Sequence, residues 1–211
     1  MSSSLKRFFF ALSLAAALAG CSSSPAPTGE SKPASAPKVP ENQTEAGREA
    51  LQKMYASARV WSPDSQPVSL TSVPRKGDSV GKAAVWSASF ASAAKHSIRN
   101  FMWSGAGGED APESGISLGS IDTYSPDNQS TRPFDMNFLK VDSTDAFEVA
   151  QKHGGEALLK KTPDMLTKYQ LQWDPRASKL FWSIQYDPRG SQYKLDVLVN
   201  ASTGWFVRVE K

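Results

Sequence analysis

Apolar side chains recur at every second position through the C-terminal third of the chain. Leu180, Trp182, Ile184 and Tyr186 share one phase, and Phe181, Ser183 and Gln185 take the other. Leu171 and Trp173 alternate with Gln170 and Gln172. Tyr193, Leu195, Val197 and Val199 form a third run, and Trp205, Val207 and Val209 a fourth. A period of two marks half-buried strands. Asp174-Pro175-Arg176 and Asp187-Pro188-Arg189 place Asp first and Pro second in type I turns, and Asn200 to Gly204 closes the last hairpin. Ahead of the strands the period is helical. Ala146, Phe147, Val149 and Ala150 follow Asp142-Ser143-Thr144-Asp145, where Ser143 or Thr144 can cap, and the pattern runs to Gly154-Gly155. A further helical turn over 156–161 stops at Pro163. The pattern predicts an α+β unit, with a helix lying on the apolar face of a four-stranded antiparallel meander.

The first half repeats this plan. Ala50, Leu51, Met54, Tyr55 and Ala58 fall on one helical face, with Thr44 as the expected N-cap and a stop before Ser62-Pro63. Strands follow up to Phe90, over 98–103 and over 116–124. A single offset of 96 residues aligns Ala50-Leu51 with Ala146-Phe147, and Trp86-Ser87 with Trp182-Ser183. The expectation is an internal duplication: two helix-on-antiparallel-sheet lobes, 45–125 and 138–211, linked through 125–133. Trp86, Trp182 and Trp205 are expected core anchors by their strand phase. Trp61 and Trp103 are undecided.

The N-terminus has a different character. Lys6 and Arg7 precede an apolar run over 8–18 that is too short to span a bilayer as a helix. Leu18-Ala19-Gly20-Cys21 then resembles the bacterial lipobox. The resemblance implies that the signal peptide 1–20 is cleaved between Gly20 and Cys21, that Cys21 carries the lipid, and that the protein is tethered in the cell envelope. Ser22 rather than Asp at the next position suggests the outer membrane, facing the periplasm. The segment 21–44 carries five prolines among Ser, Ala and Lys and reads as an extended spacer.

Residues 145–211 resemble the PepSY domain of secreted bacterial proteins and peptidase propeptides. A helix of the form Ala146-Phe-Glu-Val-Ala150 precedes antiparallel strands, and the chain ends in Asp196-Val-Leu-Val-Asn-Ala-Ser-Thr-Gly204 and a last strand. Asn200 stands where the family usually has Asp. The first lobe matches only through the internal repeat. The resemblance implies a noncatalytic envelope domain, associated with protease inhibition or protein interaction, and brings no catalytic residue.

The remaining chemistry is sparse. Lys plus Arg is 24 against Asp plus Glu 21, too balanced for a nucleic-acid footprint. The single cysteine excludes an intramolecular disulfide. His96 and His153 lie far apart with no second ligand at metal spacing, so no metal or other cofactor is expected. Ser92-Ala-Ala-Lys95 has the Ser-x-x-Lys form, but Ser3, Ser35 and Ser79 begin the same pattern and no Lys-Thr-Gly follows. Glu109-Asp110 and Asp142/Asp145 read as a solvated loop and a helix N-terminus. No enzyme is expected. Two classes stay open: an envelope module that binds a protein partner, and a small-ligand or glycan binder using exposed aromatics. Phe181, Leu198 and Phe206 occupy the phase opposite the core, as a recognition surface or an interface between the lobes.

Cys21→Ser removes the lipidation site. The variant should accumulate as unprocessed or soluble protein, and membrane fractionation of labelled cells checks this. A Cys21→Ser chain that stays in the detergent phase would remove the lipobox reading.

Overall fold

The computed structural model describes residues 42–210, apart from 79, 109, 110 and 189–191. In chain order the elements are β1 (Glu45–Ala46), α1 (Gly47–Trp61), β2 (Gln66–Ser72), β3 (Lys82–Ala83), β4 (Val85–Ser92), β5 (Ser97–Ser104), β6 (Gly115–Thr123), α2 (Ser143–Ala150), α3 (Glu156–Lys161), β7 (Thr167–Asp174), β8 (Lys179–Tyr186), β9 (Leu195–Asn200) and β10 (Phe206–Glu210). Two short 3-10 turns precede α2, and a π-helical turn, Gln151–Gly155, joins α2 to α3. His153 and Gly154 leave helical geometry there, and Gly154 takes φ 112, a left-handed value that suits glycine.

The four-stranded meander expected at the C-terminus is present as β7 to β10. A matching set, β2, β4, β5 and β6, is present in the first half. They are not two sheets. The order is β10-β9-β8-β7-β2-β4-β5-β6, one eight-stranded sheet with antiparallel pairing throughout. The seam is β2 on β7, in the register Ser69↔Gln172, Leu70↔Leu171 and Thr71↔Gln170. The expectation of two helix-on-sheet lobes therefore gives way to a single sheet whose helices share one face. All the described residues belong to one compact unit, Lys38–Lys211. The reason lies in β2. Gln-Pro-Val-Ser-Leu-Thr-Ser has little apolar alternation to announce a strand, yet Leu70 is fully buried at the seam.

One core spans the seam. Leu51, Met54, Leu70, Trp86, Phe90, Phe101, Leu171, Trp182, Ile184, Tyr186, Val197 and Val199 belong to a single cluster under the helices. α1 lies over β2, β4 and β5, and α2 over β8 and β9. Trp86 and Trp182 meet edge to face with centroids 6.4 Å apart, a preferred aromatic geometry. The contacts around each tryptophan repeat 96 residues apart, the separation of Gly47 and Ser143. Trp86 Nε1 donates to the Glu45 carbonyl at 3.0 Å, and Trp182 Nε1 to the Val141 carbonyl at 2.9 Å. The Gly105 N–H donates to Ala84, and the Ala201 N–H to Leu180.

The helix N-termini meet above this pair. Thr44 is not the N-cap of α1. Ala46 occupies that position and makes no side-chain cap. The first amides of α1 are met instead by the second half: the Gly47 N–H donates to Ser143 Oγ at 2.8 Å and the Arg48 N–H to Asp142 Oδ1 at 2.9 Å. Ser143 Oγ donates in turn to the Gly81 carbonyl. With Ser143 so engaged, Asp142 caps α2 and forms a capping box with Asp145.

Trp205 departs from its expected core position. It is 77% exposed. Trp103, left undecided, is buried, and Trp61 packs edge-on against Phe101. Tyr193 falls outside β9, and Asp187 adopts φ 54, while residues 189–191 of its expected turn lie outside the described residues. Asp174 behaves as expected, its Oδ1 accepting from the Arg176 and Ala177 amides.

A Cβ added at Gly47 would lie 2.5 Å from Trp182 Cη2 and 3.2 Å from Trp86 Cη2. Gly→Ala in a helix ordinarily stabilises by up to about 1 kcal/mol. Gly47→Ala should instead lower the melting temperature, because it separates the two rings. Trp86→Ala and Trp182→Ala should each cost about 3–5 kcal/mol. Denaturant titration measures all three, and an unchanged midpoint for any of them contradicts the shared core.

Candidate functional site

Helices cover one face of the sheet, and the other face presents the alternate residues. Cross-strand registers set them in rows. Ser89, Ser69, Gln172 and Phe181 lie side by side, as do Ser87, Thr71, Gln170, Ser183 and Leu198. Lys168, Gln185, Asp196 and Glu210 form a third row, and Arg208 extends the second beside Leu198. These positions alternate with the core residues Leu70, Ala88, Leu171, Trp182 and Val197. Most are neutral hydrogen-bonding side chains, unlike the charged residues usual on a solvated sheet face.

Two grooves run across this face. One, of about 280 Å³, is bounded by Trp173, Phe181, Ser183, Asp196, Leu198 and Arg208. The other, of about 580 Å³, has Ser69, Ser89, Gln170 and Gln172 in its lining, with Arg132 and Arg176 at its sides. Gln170, Gln172, Trp173 and Pro175 line both, so the two grooves adjoin. A third groove of about 360 Å³ lies between the 75–80 loop and 163–167. Its Asp78 carboxylate is occupied in accepting the Arg75 and Ala84 amides, a turn-holding task.

Asp196 is the titratable group built into the open face, and it is 4% exposed. Ser183 Oγ donates to both its oxygens, at 2.7 and 2.8 Å, and Gln185 Nε2 donates to Oδ2 at 3.1 Å. Burial pushes its pKa above the usual carboxylate range, against these hydrogen bonds. Glu210 alongside raises it further, and Lys168 lowers it.

The structure divides the expected surface of Phe181, Leu198 and Phe206. Phe181 and Leu198 lie on the open face, but at 6% and 8% exposure their neighbours screen them. Phe206 is on the opposite, helix-covered side. It pairs with Val199, and a bulge between Phe206 and Arg208 shifts the phase of β10. There its ring stacks on His153 at 3.7 Å. The three do not make one patch. Nor do Phe181 and Leu198 pack on the Val85 face, since Val85 belongs to a separate cluster with Ala84 and Ala106. The polar rows were legible as alternation. The groove walls were not, because the strand pattern does not show that 129–132 folds beside β7.

The other residues with chemical potential are engaged in turns. Ser92 is buried, bonding Ser62 Oγ and Asp64 Oδ1 and accepting from the Lys95 amide. His96 occupies the β4–β5 turn with φ 47. Asn200 Oδ1 accepts from the Ser202 and Thr203 amides, closing the last hairpin as an Asp would. Among the described residues, no group of three or more His, Cys, Asp or Glu could hold a metal ion. Glu109, Asp110, Gly20 and Cys21 lie outside the described residues.

Residues 6–22 match the prokaryotic membrane lipoprotein lipid attachment site. The chain is a lipoprotein. Its lipobox implies anchoring to a membrane through lipidated Cys21 in the cell envelope, and no described helix is long and apolar enough to cross a membrane. No curated protein matches the sequence significantly. The fold is similar to that of a protein from Clostridium difficile 630 described as a "putative lipoprotein", at TM-score 0.50 and 14% identity, over 76% of this chain and 91% of that one.

Asp196→Asn keeps the shape and removes the buried charge. A carboxyl whose folded pKa is raised destabilises the fold as pH rises through that value, since the native state then holds the proton more tightly than the unfolded one. Asp196→Asn should therefore gain more melting temperature over the parent at pH 7 than at pH 4. An equal difference at both values would contradict the buried-charge assignment.

Proposed function

We propose that this lipoprotein is a noncatalytic recognition module of the envelope, which binds a partner protein on the open face of its sheet, in the manner of an inhibitor or assembly domain. The observation that carries the reading is the helix-free face, with adjoining grooves among rows of neutral hydrogen-bonding side chains. Such side chains can pair with peptide groups, each of which offers one donor and one acceptor. The tether 21–44 holds the body clear of the membrane, with the outer membrane's periplasmic side as its place. The 96-residue recurrence of the tryptophan contacts supports origin by duplication of a helix-plus-meander unit. The closing Asn200 turn and the helix–meander order support a PepSY-like C-terminal half. A second reading, a glycan or small-ligand binder, rests on the exposed Trp205 and Phe138.

A photoactivatable benzoylphenylalanine at Gln172, in the groove, should form an adduct with an envelope protein in living cells. The same residue at Val60, 87% exposed on α1, should not. No adduct at Gln172, or the same adduct at both positions, defeats the open-face reading. An adduct absent at Gln172, with glycan binding lost in Trp205→Ala, favours the second.

A further inference from the structure

The two adjoining grooves differ in charge. The smaller is bounded by Asp174, Asp196 and Glu210, with Arg208 its one cation, and Arg208 is bonded to Glu210. The larger carries Arg132 and Arg176, and no acidic residue bounds it among the described residues. Arg132 Nη1 donates to Gln129 Oε1 at 3.3 Å, and neither arginine has a carboxylate partner among the described ion pairs. Both stand on walls with fixed backbones. Asn128 Oδ1 accepts from the Ser130 amide beneath Arg132, and Asp174 Oδ1 from the Arg176 amide itself. The same groove is lined by the Ser69 and Ser89 hydroxyls and the Gln170 and Gln172 amides.

We propose that the larger groove seats an extended, carboxylate-bearing segment of the partner polypeptide, with Arg132 and Arg176 as its anion contacts and Gln170 and Gln172 reading its backbone. This rests on the open face being the recognition surface and adds the chemistry of the occupant. Charge complementarity makes the choice. A guanidinium pairs with a carboxylate in two parallel hydrogen bonds, whereas a neutral glycan leaves both arginines unpaired, and a basic segment is repelled. The acidic smaller groove fixes polarity, because an acid placed there would meet Asp196 and Glu210. Pre-set walls lower the ordering cost of binding. Exposed pairs are individually weak and are screened by salt, so the two arginines together supply about a tenfold preference.

The test uses the detergent-solubilised lipoprotein and three probes: a fluorescein-labelled octapeptide alternating Glu and Ser, its Lys/Ser counterpart, and polygalacturonate as competitor. Anisotropy should show the Glu peptide bound about tenfold more tightly than the Lys peptide, with the difference shrinking as salt rises. Arg132→Gln with Arg176→Gln should abolish that preference, and Arg176→Glu should weaken the Glu peptide further. Arg59→Gln on α1 should leave it intact. Equal binding of both peptides, or a preference that survives the double substitution, overturns the proposal. Polygalacturonate binding more tightly than the Glu peptide overturns it in favour of an acidic glycan. A Gln172 protein adduct that persists in the double variant leaves the recognition surface standing and removes only the acidic occupant.

Discussion

The structure depends on the place where its two halves touch. Trp86 and Trp182 meet edge to face beneath Gly47, which has no side chain to separate them. The helix N-terminus passing over them leaves its first amides without intrahelical partners, as every helix start does. Here the partners come from the other half of the chain, through Ser143 and Asp142. Directly alongside, Leu70 pairs with Leu171 across the β2–β7 seam. A sheet joined at that line has both helices on one side, so no helix covers its other side. The open grooves are thus a consequence of how the core is joined.

Periodicity and turn chemistry revealed the parts. Strands β8 and β9 were visible because Trp182, Ile184, Val197 and Val199 recur at every second position, with Ser183, Gln185 and Asp196 among the alternates. The helices were visible in Ala50, Leu51, Met54 and in Ala146, Phe147. The assembly was less legible. β2 escaped notice because only Val68 and Leu70 are apolar in it, and without β2 there was no seam to join the halves. The 96-residue offset suggested two bodies with separate cores. Two repeats that each place a large tryptophan beneath a helix can also bury it against each other, and these do.

The site was legible in part for similar reasons. Counting phase put Phe181 and Leu198 on the open face correctly. It put Phe206 there wrongly, because the extra residue between Phe206 and Arg208 reverses the phase of the residues before it relative to Val209 and the strand beyond. The same slip explains Trp205, assigned to the core and found in solvent. Arg132 and Arg176 had no periodic signal at all. They matter because two turns, each held by an Asx side chain, bring them to the same groove.

The most direct measurement of this joined fold takes the second half alone. Residues 138–211 contain a complete helix and four strands, enough for a lobe that folded by itself. In the joined fold that piece lacks β2 beside β7 and has Trp182 uncovered. Circular dichroism and amide hydrogen exchange on the isolated segment should show no cooperative unfolding transition and no protected amides, with structure restored on adding residues 42–125. A segment that folds cooperatively alone, with protected amides in β7, would contradict the account.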